Sequence, residues 1–76
     1  MKEDIIAVSV DIITLLKMSN RPLPVRDIKM YLDGPDYLTN FSLNYLGRKN
    51  IIRIFLDDNG EEVAIMEELA LTTPLV

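Results

Sequence analysis

The stretch "NIIRIFLDDNGEEVAIM", residues 50 to 66, constrains the fold more than any other part of the chain. Two apolar runs rich in β-branched residues flank Asn59-Gly60. Asn-Gly between such runs is the strongest short-range hairpin signal, because both central residues of a type I′ turn take positive φ. The second strand is expected over residues 62 to 66; a competing register puts it nearer 67 to 71, with a longer acidic tip. With Asn59-Gly60 as a two-residue turn, Asp58 faces Glu61 and Asp57 faces Glu62. Like charges placed opposite each other are mildly destabilising, so this tip of four carboxylates needs an explanation.

The chain has 76 residues, which makes residues 1 to 76 a single domain with a small core. Hydrophobic residues are 49% and charged residues 26%, a balance that folds rather than staying disordered. Cysteine and histidine are both absent. That excludes disulfides and thiolate sites, and it removes the commonest general base and metal ligand. Ser9, Ser19 and Ser42 have no recognisable nucleophile context, and the three glycines, Gly34, Gly47 and Gly60, form no phosphate loop. A calcium site at the acidic tip does not fit the spacing of an EF-hand loop. The expectation is a protein that is not an enzyme and carries no cofactor and no metal.

The formal net charge is −4, with a pI near 4.5, which argues against a nonspecific nucleic-acid binder. The charge is unevenly spread. From Lys17 to Arg53 seven bases stand against three acids, whereas from Ile54 onward there are six acids and no base. The acids Glu3 and Asp4 stand where a signal peptide would be basic, and Asp11 interrupts the apolar run. No stretch has the uninterrupted apolar length of a membrane span, so the expected setting is cytoplasmic.

Residues 4 to 18 predict a helix. Ile5, Ile6, Val8, Ile12, Ile13, Leu15 and Leu16 cover about half of its circumference, and Val10 widens the arc. Such an arc is either a central helix covered on two sides by its own chain or, in part, a dimer interface. Ile6, Val10, Ile13, Leu71 and Leu75 are the candidate interface residues. Ser19-Asn20 ends the helix, and the prolines of "RPLP" keep the chain extended, with a brief strand around Leu23 placed to pair with the hairpin edge. "VRDIKMYLDG" predicts a short second helix stopped by Gly34. A third helix runs from near Asp36 or Thr39 to Lys49. Its inner arc is Leu38, Phe41, Leu43, Tyr45 and Leu46, its outer side Asn40, Asn44, Gly47 and Arg48, and Asn50 is its left-handed cap. The tail "LALTTPLV" is apolar and short for a helix of its own.

"LNYLGRKNIIRI" combines Leu43 and Leu46 three apart, a helix end at Asn50, and Ile51-Ile52 entering a strand. This pattern resembles the winged helix-turn-helix family, with Asn50 where Gly often stands. "PVRDIKMYL" resembles the family's second helix and "DDNGEEVAIM" its wing, so the resemblance spans roughly residues 5 to 66. It implies an α+β fold of three helices followed by a two-stranded β-hairpin wing. It also implies a third helix that enters the major groove of double-stranded DNA.

On that implication the outer face Asn40, Asn44 and Arg48 reads bases, with Thr39 or Ser42 near the entry, while Lys49, Arg53, Arg26 and Lys29 touch phosphates. Against it, any exposed helix shows Asn and Arg, and a tip offering Asp57, Asp58, Glu61 and Glu62 repels DNA. Two functions are therefore carried forward. One is a DNA-binding transcriptional regulator acting as a homodimer. The other is a protein-protein interaction adaptor of the same fold, using Asp57, Asp58, Glu61, Glu62 and the apolar surface of the first helix.

Overall fold

A computed structural model describes the backbone of residues 2 to 72 and the side chains of residues 2 to 69. The order is α1 Lys2–Ser19, β1 Leu23–Pro24, α2 Val25–Leu32, α3 Asp36–Arg48, β2 Ile52–Leu56, β3 Glu62–Met66 and α4 Glu67–Thr72. The fold is α+β: a three-stranded antiparallel sheet in the order β1-β3-β2, packed against helices. The second hairpin strand occupies residues 62 to 66 as expected, and residues 67 to 71 are helical rather than a strand. The expected short strand at Leu23 pairs with β3 through Leu23↔Ala64 and Pro24↔Val63. This makes β3 the central strand and turns the expected two-stranded hairpin into three strands. Pro24 donates no ladder hydrogen bond, which an edge strand tolerates. β2 forms the other edge of the sheet.

The core is built by Ile12 and Leu16 of α1, Leu23, Val25 and Ile28, Leu43 and Leu46 of α3, and Ile52, Ala64 and Met66 of the sheet. α1 packs against α2, α3 and β3, so its wide apolar arc is largely consumed by its own chain. Ile13 is half-buried against the core, whereas Ile6 and Val10 keep 48% and 55% of their surface. Leu71 lies in α4 with its side chain outside the described residues, and Leu75 lies outside them altogether.

α3 is phased differently from the expected inner arc. Its buried stripe is Thr39, Ser42, Leu43 and Leu46, the i, i+3, i+4, i+7 pattern of one helix face. Phe41 falls outside that stripe and is exposed, edge-on to Tyr37 with ring centroids 6.4 Å apart. The Ser42 hydroxyl donates to the Ile5 carbonyl of α1 at 3.2 Å. Ser9 of α1 is also buried, and its hydroxyl has no partner among the described residues. Small side chains on both helices let α1 and α3 approach closely where larger apolar ones would hold them apart.

The first three helices end in the left-handed region without glycine, at Asn20 (φ 51°), Asp33 (φ 50°) and Asn50 (φ 59°). Asn and Asp visit this region at least cost among side-chain-bearing residues. The stop of α2 is therefore Asp33 and not Gly34: Pro35 disfavours a helical Gly34, and the reversal falls one residue earlier. At Asn50 two hydrogen bonds close the end of α3, Asn50 N–H to the Gly47 carbonyl at 3.1 Å and Ile51 N–H to the Leu46 carbonyl at 3.0 Å. This is the Schellman arrangement, and Ile51 supplies its apolar contact by packing on the core.

The hairpin turn also differs from the expected type. Only Gly60 has positive φ (79°); Asn59 does not. Gly60 N–H donates to the Asp57 carbonyl at 3.0 Å, and Asp57 N–H to the Glu61 carbonyl at 2.9 Å. The loop is thus a type I turn with Gly60 in a G1 bulge, the three-residue hairpin form. Asp57 decides this: its Oδ1 accepts from the N–H groups of Asn59 (2.8 Å) and Glu61 (2.9 Å), which favours the type I geometry over I′. Leu56, not Asp57, stands opposite Glu62.

α4 has six residues, too few to hold a helix alone. Tertiary contacts hold it. Glu67 N–H donates to the Ile51 carbonyl at 3.0 Å, and Leu69 packs against the core.

Replacing Asn50 by Ala should lower stability by about 1 kcal/mol, the left-handed penalty for an ordinary side chain, while Gly at 50 should leave it within a few tenths. Urea unfolding of the three proteins checks this. Equal midpoints for Ala and Gly would refute the conformational account.

Candidate functional site

One face of α3 carries Asn40, Asn44 and Arg48. The three residues are four apart, so they stack along one line of the helix, and all three are exposed. The helix that presents them is fixed from behind by the Thr39, Ser42, Leu43, Leu46 stripe and at its end by the Asn50 reversal. Beside this line lies a groove between α3 and β2. Asn44, Gly47 and Arg48 form one bank, and Arg53 and Ile54 the other, with Glu67 also lining it. Towards the hairpin, Asn40 and Asn44 lie beside Val25, Ile54 and Glu62.

The structure removes two candidates from this surface. Thr39 keeps 2% of its surface and Ser42 none, because both belong to the inner stripe against α1. A serine or threonine on a helix reads as outward-facing by composition. Only the phase of the buried stripe, which puts both on the same helix face as Leu43 and Leu46, reveals the opposite.

The basic candidates divide by their partners. Arg53 holds Glu67 with both arms of its guanidinium, Nε to Oε2 at 3.2 Å and Nη2 to Oε1. Arg26 pairs with Glu61, Nη1 to Oε1 at 2.9 Å, and approaches Asp27 at 3.5 Å. Lys49 stands over the Tyr45 ring, 5.9 Å from its centroid. Lys29 lines a depression with Val25, Arg26, Met30, Asp36, Glu61 and Glu62, where both signs of charge meet. Arg48 is exposed on the outer line of α3.

The four tip carboxylates do not act as one acidic cluster. Asp57 is consumed as the cap of the turn, and Glu61 is paired with Arg26. Asp58 and Glu62 are exposed. Among the described residues, no group of three or more acidic side chains is arranged to hold a metal ion, and no helix is long and apolar enough to cross a membrane. No family model, no curated protein and no solved structure matches the chain.

The ion pairs Arg53–Glu67 and Arg26–Glu61 join residues 14 and 35 apart, and nothing in the local sequence signals them. The one legible hint is the segregation of bases before residue 54 and acids after it.

Asp57→Ala should destabilise the protein by about 1–2 kcal/mol, because two turn N–H groups lose their acceptor, whereas Asp58→Ala should change stability by no more than about 0.5 kcal/mol. Thermal melts of both variants decide the point. Equal effects would mean that Asp57 is only a solvated charge.

Proposed function

We propose that the chain is a winged helix-turn-helix domain that binds double-stranded DNA through the outer face of α3 and acts as a homodimeric transcriptional regulator. The observation that carries this reading is the exposed line Asn40, Asn44, Arg48 on a helix rigidly seated against the core. The order helix, short strand, two helices, hairpin, with the short strand pairing to the last hairpin strand, supports the fold assignment.

In this reading α3, about 20 Å long, lies in the major groove. The amides of Asn40 and Asn44 have the donor-acceptor pair that matches adenine, and the Arg48 fork matches O6 and N7 of guanine. Lys49 and Lys29 are the phosphate contacts nearest to hand. A single domain this small touches few phosphates, so useful affinity needs two copies on two half-sites. Ile6 and Val10, left open on α1, are the pairing surface in this reading. The domain has no catalytic role in this reading and works in the cytoplasm.

A second reading, a protein-binding adaptor of the same fold, is favoured by the exposed Asp58 and Glu62 and by the same Ile6 and Val10 surface.

Fluorescence anisotropy of labelled mixed-sequence duplex DNA at two salt concentrations separates the two. The regulator binds at low salt, loses affinity as salt rises, and loses about 5- to 100-fold on its selected site when Arg48 is replaced by Ala. No binding at low salt refutes the regulator and leaves the adaptor. For the pairing surface, light scattering should give twice the monomer mass for the native chain and the monomer mass for Val10→Asp. A native monomer at high concentration would end the homodimer proposal.

A further inference from the structure

We propose that Arg53 and Arg26 are phosphate-binding groups that the chain keeps occupied with its own carboxylates, Glu67 and Glu61. The DNA-binding face is then masked from within, and acidic side chains regulate it by competing with the DNA backbone. The inference rests on the DNA-binding reading above.

Three observations support it. First, Arg53 opens on the same groove as Asn44 and Arg48, so it lies on the side from which a duplex approaches α3. Second, its guanidinium grips Glu67 with Nε and Nη2 on separate oxygens. A planar fork binds carboxylate and phosphate in the same two-point geometry, so Glu67 occupies the seat that a phosphodiester would take. Third, Arg26 is held at one point by Glu61 of the hairpin turn, with Asp27 3.5 Å away, in a depression that shares Val25 and Glu62 with the hollow beside Asn40 and Asn44. The side chains of Arg53 and Arg26 are 41% and 65% exposed, and those of Glu67 and Glu61 21% and 39%, so both arginines reach water while Glu67 is partly buried. A backbone of closely spaced phosphates can compete for arginines that reach water.

The arrangement also explains the acidic hairpin. Glu61 does not simply repel DNA. It neutralises a base that would otherwise attract DNA of any sequence. A chain masked in this way would release its arginines only where contacts from Asn40, Asn44 and Arg48 hold the duplex against the face. Nonspecific binding is suppressed more than specific binding.

The test compares three proteins on labelled mixed-sequence duplex across a salt series: the native chain, Glu61→Gln with Glu67→Gln, and Asp58→Asn with Asp11→Asn. The last pair changes the net charge equally on exposed acids, one at the hairpin tip and one on α1, that form neither arginine pair. Two freed arginines should steepen the slope of log affinity against log salt by about two in the Glu61, Glu67 variant. The Asp58, Asp11 variant should keep the native slope. Equal slopes in the two variants, with the native chain binding, would overturn the masking and leave the DNA reading intact. No binding by any of the three would overturn the DNA reading itself. Should the double variant fail to show a cooperative melt, Glu61→Gln alone must steepen the slope by about one, and an unchanged slope there refutes the masking of Arg26.

Discussion

The reversal at Asn50 sets how the sheet and α4 join α3. Once Asn50 turns left-handed, the Ile51 N–H is committed to the Leu46 carbonyl, and the Ile51 carbonyl is left facing the start of α4, where it receives the Glu67 N–H. One residue is thereby bonded at its donor to the helix before the sheet and at its acceptor to the helix after it. The register of β2 against β3, the seat of α4 and the position of Arg53 beside Arg48 all descend from that one residue. A longer loop would close the chain for little extra entropy, but it would not pin the strand's phase.

Charge acts in the same closing sense. The basic middle of the chain and its acidic C-terminal part are separate in sequence, and folding brings them together at the hairpin turn on α2 and at the start of α4 on β2. The Arg26–Glu61 pair is exposed and contributes little stability. Both pairs act on the surface potential: the two arginines nearest the hairpin and the α3 groove no longer stand as free positive charges. The face that remains is defined by hydrogen-bonding side chains and by Arg48 more than by net charge.

Much of this was legible in the residues, and the legible parts share a cause. The helices, Asn50 and the strand at 62 to 66 are local, set by periodicity and by which residues tolerate positive φ. The failures are also physical. Asn59-Gly60 points to one turn, but the Asp57 carboxylate two residues away accepts two N–H groups and selects another. Gly34 has the freedom to end α2, yet its neighbour Pro35 moves the reversal to Asp33. Thr39 and Ser42 look polar and outward, whereas the packing of α1 on α3 requires small residues inside. The arginine pairs depend on tertiary closure, which no local pattern encodes.

The sheet has unequal edges. β1 is two residues long and includes a proline, so it offers almost nothing to an incoming strand, whereas β2 is five residues long, ends in the exposed Phe55 and Leu56, and pairs on one side only among the described residues. A sheet open at both edges can add strands without limit. One open at a single edge can be extended once: when two such edges meet about a two-fold axis, each has used the only site the other could join. The proline at β1 therefore acts as a terminator, limiting any edge-to-edge association of this chain to a closed pair.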